Sequence, residues 1–100
     1  MIHKKDTVYF MVSYLDDDSV FPIMETVVYL GEEKTAELGI RHMYQDLESW
    51  KERGAHPNNE EGPGKVFSLP AGELSNIHNF ETALKELAGC LSRRQKRGLA

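Results

Sequence analysis

The chain has 100 residues, 40% of them apolar, and 12 Lys and Arg stand against 16 Asp and Glu for a net charge of −4. That length fits a single domain and excludes a full Rossmann or barrel enzyme. The apolar fraction excludes a disordered, collagen-like or coiled-coil chain, and the lone Cys90 excludes an internal disulfide framework.

In chain order, Thr7 to Leu15 (TVYFMVSYL) is rich in β-branched and aromatic residues and too short for an ordinary helix, which predicts a strand. Period two places Val8, Phe10, Val12 and Tyr14 on one face and Tyr9, Met11 and Leu15 on the other, the signature of a strand covered on both sides. Asp16-Asp17-Asp18-Ser19 reads as a hairpin turn of short side chains that accept local backbone hydrogen bonds. Val20 to Leu30 returns as a second strand, continuous from Met24 because Pro22 has no amide proton to give to a ladder. Gly31 to Gly39 is expected to be a loop or a single helical turn, and Ile40 to Gln45 a third strand.

Asp46 is placed to cap a short helix over Leu47–Arg53, with Gly54 just past its end. The stretch from Gly54 to Lys65 reads as a long surface loop, and Val66 to Leu69 as a fourth strand stopped by Pro70. Asn79 is then the expected cap of a second helix, with Asn76 the alternative. Its Phe80, Leu84, Leu87 and Leu91 recur at helical spacing, which predicts that this stripe is the main lid on the core. The order β-β-β-α-β-α with short connections implies the α+β class: an antiparallel sheet of three to four strands packed by a C-terminal amphipathic helix, in one domain over 1–100.

Charge is unevenly spread. All sixteen acids lie between Asp6 and Glu86, so residues 1–90 carry −8 and the last ten +4. Arg93, Arg94, Lys96 and Arg97 fall in a basic, mobile tail over 93–100 that could contact nucleic acid, anionic lipid or an acidic partner. The favoured reading is that these cations gather at the end of a helix, where they complement its macrodipole. An acidic body disfavours nonspecific phosphate binding, which needs Lys and Arg to displace counterions. No apolar run approaches the ~18 residues of a membrane span. The apolar stretch after Lys4 and Lys5 runs into Asp16–Asp18, where a signal peptide would need small residues. A soluble, cytoplasmic protein is the expectation.

The motifs that could carry chemistry are weak. Asp16-Asp17-Asp18-Ser19-Val20 resembles the Asp-x-Asp-x-Thr/Val signature of haloacid-dehalogenase-type phosphotransferases, which would imply a nucleophilic Asp16, an acid at Asp18 and magnesium. The resemblance spans five residues, and a second strand follows where that family has a helix. Gly62-Pro63-Gly64-Lys65 lacks the earlier glycine and the following Ser/Thr of a phosphate loop. His3, His42, His56, His78 and Cys90 show no local metal-ligand spacing. No catalytic residue, metal ligand or cofactor is therefore assigned.

The sequence favours a small noncatalytic protein-interaction or regulatory module. A ligand- or metal-binding protein or enzyme using acids or histidines near the Asp16–Asp18 turn or the 54–65 loop is the second reading, and a nucleic-acid-associated protein using the basic tail is the third. The expected contact residues are Tyr9, Met11 and Leu15 on an apolar sheet face that one long helix cannot cover, Trp50 on the short helix that covers only part of it, and Arg93, Arg94, Lys96 and Arg97 at the tail. The competing expectation is that the 54–65 loop and Trp50 cover that face within the chain. Such a face predicts a homodimer, with some other protein as a further partner.

Overall fold

A computed structural model describes residues 3–55 and 66–99. The elements run β1 (Val8–Tyr14), β2 (Pro22–Thr35), β3 (Gly39–Asp46), α1 (Leu47–Arg53), β4 (Val66–Pro70), β5 (Ile77–His78) and α2 (Phe80–Lys96). The class is α+β, as the sequence predicts, but the antiparallel sheet has five strands rather than three to four, in the order β4-β3-β2-β1-β5.

Two differences account for the count and the shape. β2 continues through Gly31–Thr35, where a loop was expected, and pairs with β3 as far as Thr35↔Gly39. A bulge between Tyr29 and Gly31 makes this possible: Leu30 is the extra residue, and Gly31 takes φ +120°, a conformation that L side chains rarely adopt. β5 is a two-residue strand on the free edge of β1, pairing Phe10↔His78 and Met11↔Ile77. Pro22 is the first residue of β2, where its missing amide costs the ladder least.

β4 and β5 lie on opposite edges, yet only residues 71–76 join them. That connection contains two tight turns, closed by the Glu73 amide on the Pro70 carbonyl and the Ile77 amide on the Leu74 carbonyl, both at 3.0 Å. Leu74 of this connection packs against the core cluster, so the link lies against one face of the sheet. The face it crosses holds the core cluster of Tyr9, Val27, Tyr29, Tyr44 and Ile77, with Met11, Phe67, Leu69 and Leu74 packed against it.

The opposite face carries both helices. α1 forms as the sequence predicts: Asp46 accepts the Ser49 amide at 3.0 Å and Gly54 ends the helix at φ +76°. The buried Gln45, on the side of β3 opposite Tyr44, donates to Ser49 Oγ at 2.9 Å and to the Gly54 carbonyl at 3.2 Å, which ties α1 to the sheet. α2 is capped by Asn79, whose side chain accepts the Thr82 amide at 2.8 Å. It lies over β1 and β5, with the Phe80 ring edge-on to Phe10 at 5.0 Å.

The seating of α2 corrects the expected lid. Its buried residues are Ala83 and Cys90, and Leu87 of the expected stripe is half-buried, whereas Phe80, Leu84 and Leu91 are 71%, 60% and 50% exposed. Small residues let the helix approach the sheet closely, and the larger ones overhang strands that it does not cover. Tyr44→Ala, at a fully buried site, is expected to lower the unfolding free energy by about 3–5 kcal/mol. Leu84→Ala should cost less than about 1 kcal/mol. Chemical denaturation of the two variants checks this division, and equal losses would contradict it.

Candidate functional site

Three side-chain constellations stand out. The first is polar and aromatic, on the face crossed by residues 71–76. Tyr9, Tyr29 and Tyr44 are neighbours on β1, β2 and β3, and Tyr44 stacks on Phe67 at 5.5 Å. Buried phenols need partners for their hydroxyls. Tyr9 Oη accepts the Lys4 amide at 2.7 Å, Tyr29 Oη is hydrogen-bonded to His42 Nδ1 at 2.8 Å, and Tyr44 Oη to His3 Nδ1 at 2.8 Å. The Asp6 amide donates to the Tyr29 carbonyl at 2.8 Å, so the chain from His3 to Asp6 forms a strap over the cluster.

His3 lies 4.5 Å from the Tyr9 ring and 6.3 Å from that of His42. Burial first, and then the neighbouring His42, holds its imidazole below the ordinary histidine range. Burial also raises the Tyr29 and Tyr44 phenols. Each histidine already uses Nδ1 on a phenol. Among the described residues, no three of His, Cys, Asp and Glu converge as a metal centre requires. The arrangement suits cohesion of the core.

The second constellation joins the end of α2 to the β1–β2 turn. Arg93 Nε donates to the Ser19 carbonyl at 2.8 Å and its Nη2 to Tyr14 Oη at 2.9 Å, while Arg94 Nη1 donates to the Val20 carbonyl at 2.6 Å. Arg97 pairs with Asp18 at 3.1 Å. Tyr14 donates to Glu86 at 2.6 Å, and burial together with that bond pushes its phenol up to about 12.

Residues 93–96, expected in a tail, are thus the last turn of α2, and their arginines hold the turn that the three aspartates form. Asp16, the nucleophile position of the phosphotransferase resemblance, accepts the Val20 and Phe21 amides. Those bonds outweigh burial and keep its carboxyl below the usual carboxylate range. Its oxygens organise the turn.

The third constellation is a shallow groove of about 140 Å³ between α2 and the sheet, lined by Phe10, Met24, Phe80, Ala83, Leu84 and Leu87. Every one of these residues is apolar. Exposed Leu91 continues the same side of α2. A wider, open hollow beside α1 is lined by Glu25, Thr26, Asp46, Leu47, Glu48 and Lys51, but Asp46 there is engaged in capping the helix.

The expected contact residues are scattered by this arrangement. Tyr9 is buried and Met11 half-buried in the core cluster, so that face is closed within the chain by the strap and by Leu74. The competing expectation, cover by the 54–65 loop, falls largely outside the described residues. Leu15 is fully on the surface beyond the end of β1, and Trp50 is half-buried on α1. Arg93 and Arg94 are half-buried against the turn, while Lys96 and Arg97 are exposed. The exposed apolar surface that the sequence placed on the Tyr9 face lies on α2 instead. Its signal was present in the apolar arc of the helix, which is wider than one core-facing stripe needs.

No family model matches the chain, and comparison with curated proteins and with solved structures finds no match.

Two outcomes test this geometry. Because the His3 imidazole is held below its unfolded value, the unfolded chain binds more protons at mildly acid pH. Its contribution is complete above about pH 6.5 and is lost as pH falls below that value. Resistance to urea unfolding should therefore fall from pH 7.5 to 5.5 in the wild type, and less so in His3→Gln. Removing residues 93–100 is expected to cost about 1–3 kcal/mol through the charged hydrogen bonds to the turn and to speed amide exchange at Ser19–Phe21. Unchanged exchange there would show that the arginines do not hold it.

Proposed function

We propose that this protein is a noncatalytic interaction module whose contact surface is the apolar seam along α2. The observation that carries the reading is the groove of Phe10, Met24, Phe80, Ala83, Leu84 and Leu87, flanked by exposed leucines. Contiguous apolar surface of this kind on a small domain marks a binding face more often than chance exposure. Polar groups that would position a reacting substrate do not line it.

The competing readings find less support. The catalytic reading at the Asp16–Asp18 turn needs a carboxylate turned toward a cavity, whereas Asp16 is engaged with backbone amides. His3 and His42 are engaged with phenols, and residues 56–65 of the other candidate loop lie outside the described residues. The nucleic-acid one needs cations turned toward phosphate, whereas Arg93 and Arg94 donate to carbonyls of the chain itself. Among the described residues, no helix is long and apolar enough to cross a membrane.

The test is affinity capture from the native cell with the seam as the variable. Wild type and Lys34→Glu, a change on the distant β2–β3 hairpin, should retain the same protein, another copy of this chain included. The double variant Phe80→Glu, Leu84→Glu should lose it. Equal retention by all three would take the seam out of the reading.

A further inference from the structure

Resting on that interaction reading, we infer that the occupant of the seam is a second copy of this chain, with the two α2 helices packed antiparallel about a two-fold axis near Ala88. The pattern along the helix carries the inference. Phe80, Leu84, Ala88, Leu91 and Gln95 follow at intervals of four, four, three and four residues, so they form one side of α2, and all five are exposed. That side is distinct from the buried one of Ala83 and Cys90.

A two-fold axis close to Ala88 sets Leu84 of one copy against Leu91 of the other, and Phe80 against Gln95. The small Ala88 side chain at the crossing allows the ~8 Å approach at which such helices interlock. Leu91 of the second copy then covers the open side of the Leu84 groove.

Charge complementarity selects the copy and the direction. On the outer flank of the same side lie Glu81, Lys85, Ser92 and Lys96, all exposed. The acid is at the N-terminal end and a base at the C-terminal end. Antiparallel pairing brings this flank against itself in reverse, so that Glu81 of each copy meets Lys96 of the other, and symmetry makes the contact twice. Glu81 already pairs with Lys85 at 3.4 Å, which holds its carboxylate on this flank. The helix dipoles also oppose one another in this direction, whereas a parallel pair would align them. A different protein would have to supply the matching base for Glu81 and acid for Lys96 by coincidence, while a second copy supplies both by symmetry.

The experiment uses the purified full chain. Sedimentation equilibrium at rising concentration should give a dimer mass, at micromolar rather than nanomolar concentration because one helix pair of ~25 Å is a small interface. Leu84→Glu should weaken association by at least about tenfold with unchanged circular dichroism. Glu81→Lys and Lys96→Glu should each weaken it about threefold or more, and the double reversal should restore it. Under mild oxidation Ala88→Cys should form a covalent dimer, whereas the wild type, whose Cys90 is buried, should not.

A wild type that stays monomeric, a dimer indifferent to Leu84→Glu, or charge reversals without mutual rescue would each overturn the inference. If a monomeric wild type still captures another protein through Phe80 and Leu84, the second-copy inference alone falls. If that capture also fails, the interaction reading falls with it.

Discussion

The structure depends on satisfying the hydroxyls of the three tyrosines on one face of the sheet. Phenol rings give the small core much of its apolar area, but an unpartnered hydroxyl in that position would cost about 1–3 kcal/mol. The partners come from outside each tyrosine's own strand: His3 for Tyr44, His42 for Tyr29 and the Lys4 amide for Tyr9. The requirement explains why the segment before β1 lies across the sheet. The bulge at Leu30 shifts the phase of β2, so that after Tyr29 it is Glu32, not Gly31, that pairs across from His42.

Closing that face fixes what remains for the other. The crossing of residues 71–76 commits β5 to the edge of β1 and delivers the chain to α2 above it. α2 then has two anchors. At its start Asn79 caps it beside β5, and at its end Arg93 and Arg94 donate to the carbonyls of the β1–β2 turn. Between them, Ala83 and Cys90 set its distance from the sheet. A helix held at both ends over one edge cannot also cover β2, and α1 covers only the β2–β3 end. The exposed seam follows from where the anchors are.

Local signals in the sequence were strong where they were enough to decide an element. The Asp46 and Asn79 caps, the ends of α1 and the alternation in β1 depend on neighbours within a few residues, and all could be read from the chain. β5 could not, because two residues have no periodicity. The extension of β2 through Gly31-Glu32-Glu33-Lys34 was hidden because a glycine followed by charges resembles a turn, whereas this glycine permits a bulge. The pairing of His3 with Tyr44 spans 41 positions and leaves no trace in spacing. The arginines read either as a tail, because apolar periodicity ends at Leu91, or as the cations of a helix end, which is where they lie. The helix continues beyond Leu91 because its last turns are held by hydrogen bonds to the turn.

The two faces of the sheet use different chemistry, and the difference matches what each is proposed to do. The closed face is built from Tyr and His, whose polar tips must be bonded before the face can be dry; opening it would break several hydrogen bonds together. The seam is built from Phe, Leu, Met and Ala, none of which has a side-chain hydrogen-bonding group that must find a partner when water leaves. Such a surface can be covered and uncovered at a cost set largely by apolar area, about 25 cal/mol per Å². A permanent core gains uniqueness from directional bonds, while a reversible contact needs few of them. On that basis the aromatic face is the part of this chain that specifies the fold, and the aliphatic side of α2 is the part free to serve a second chain.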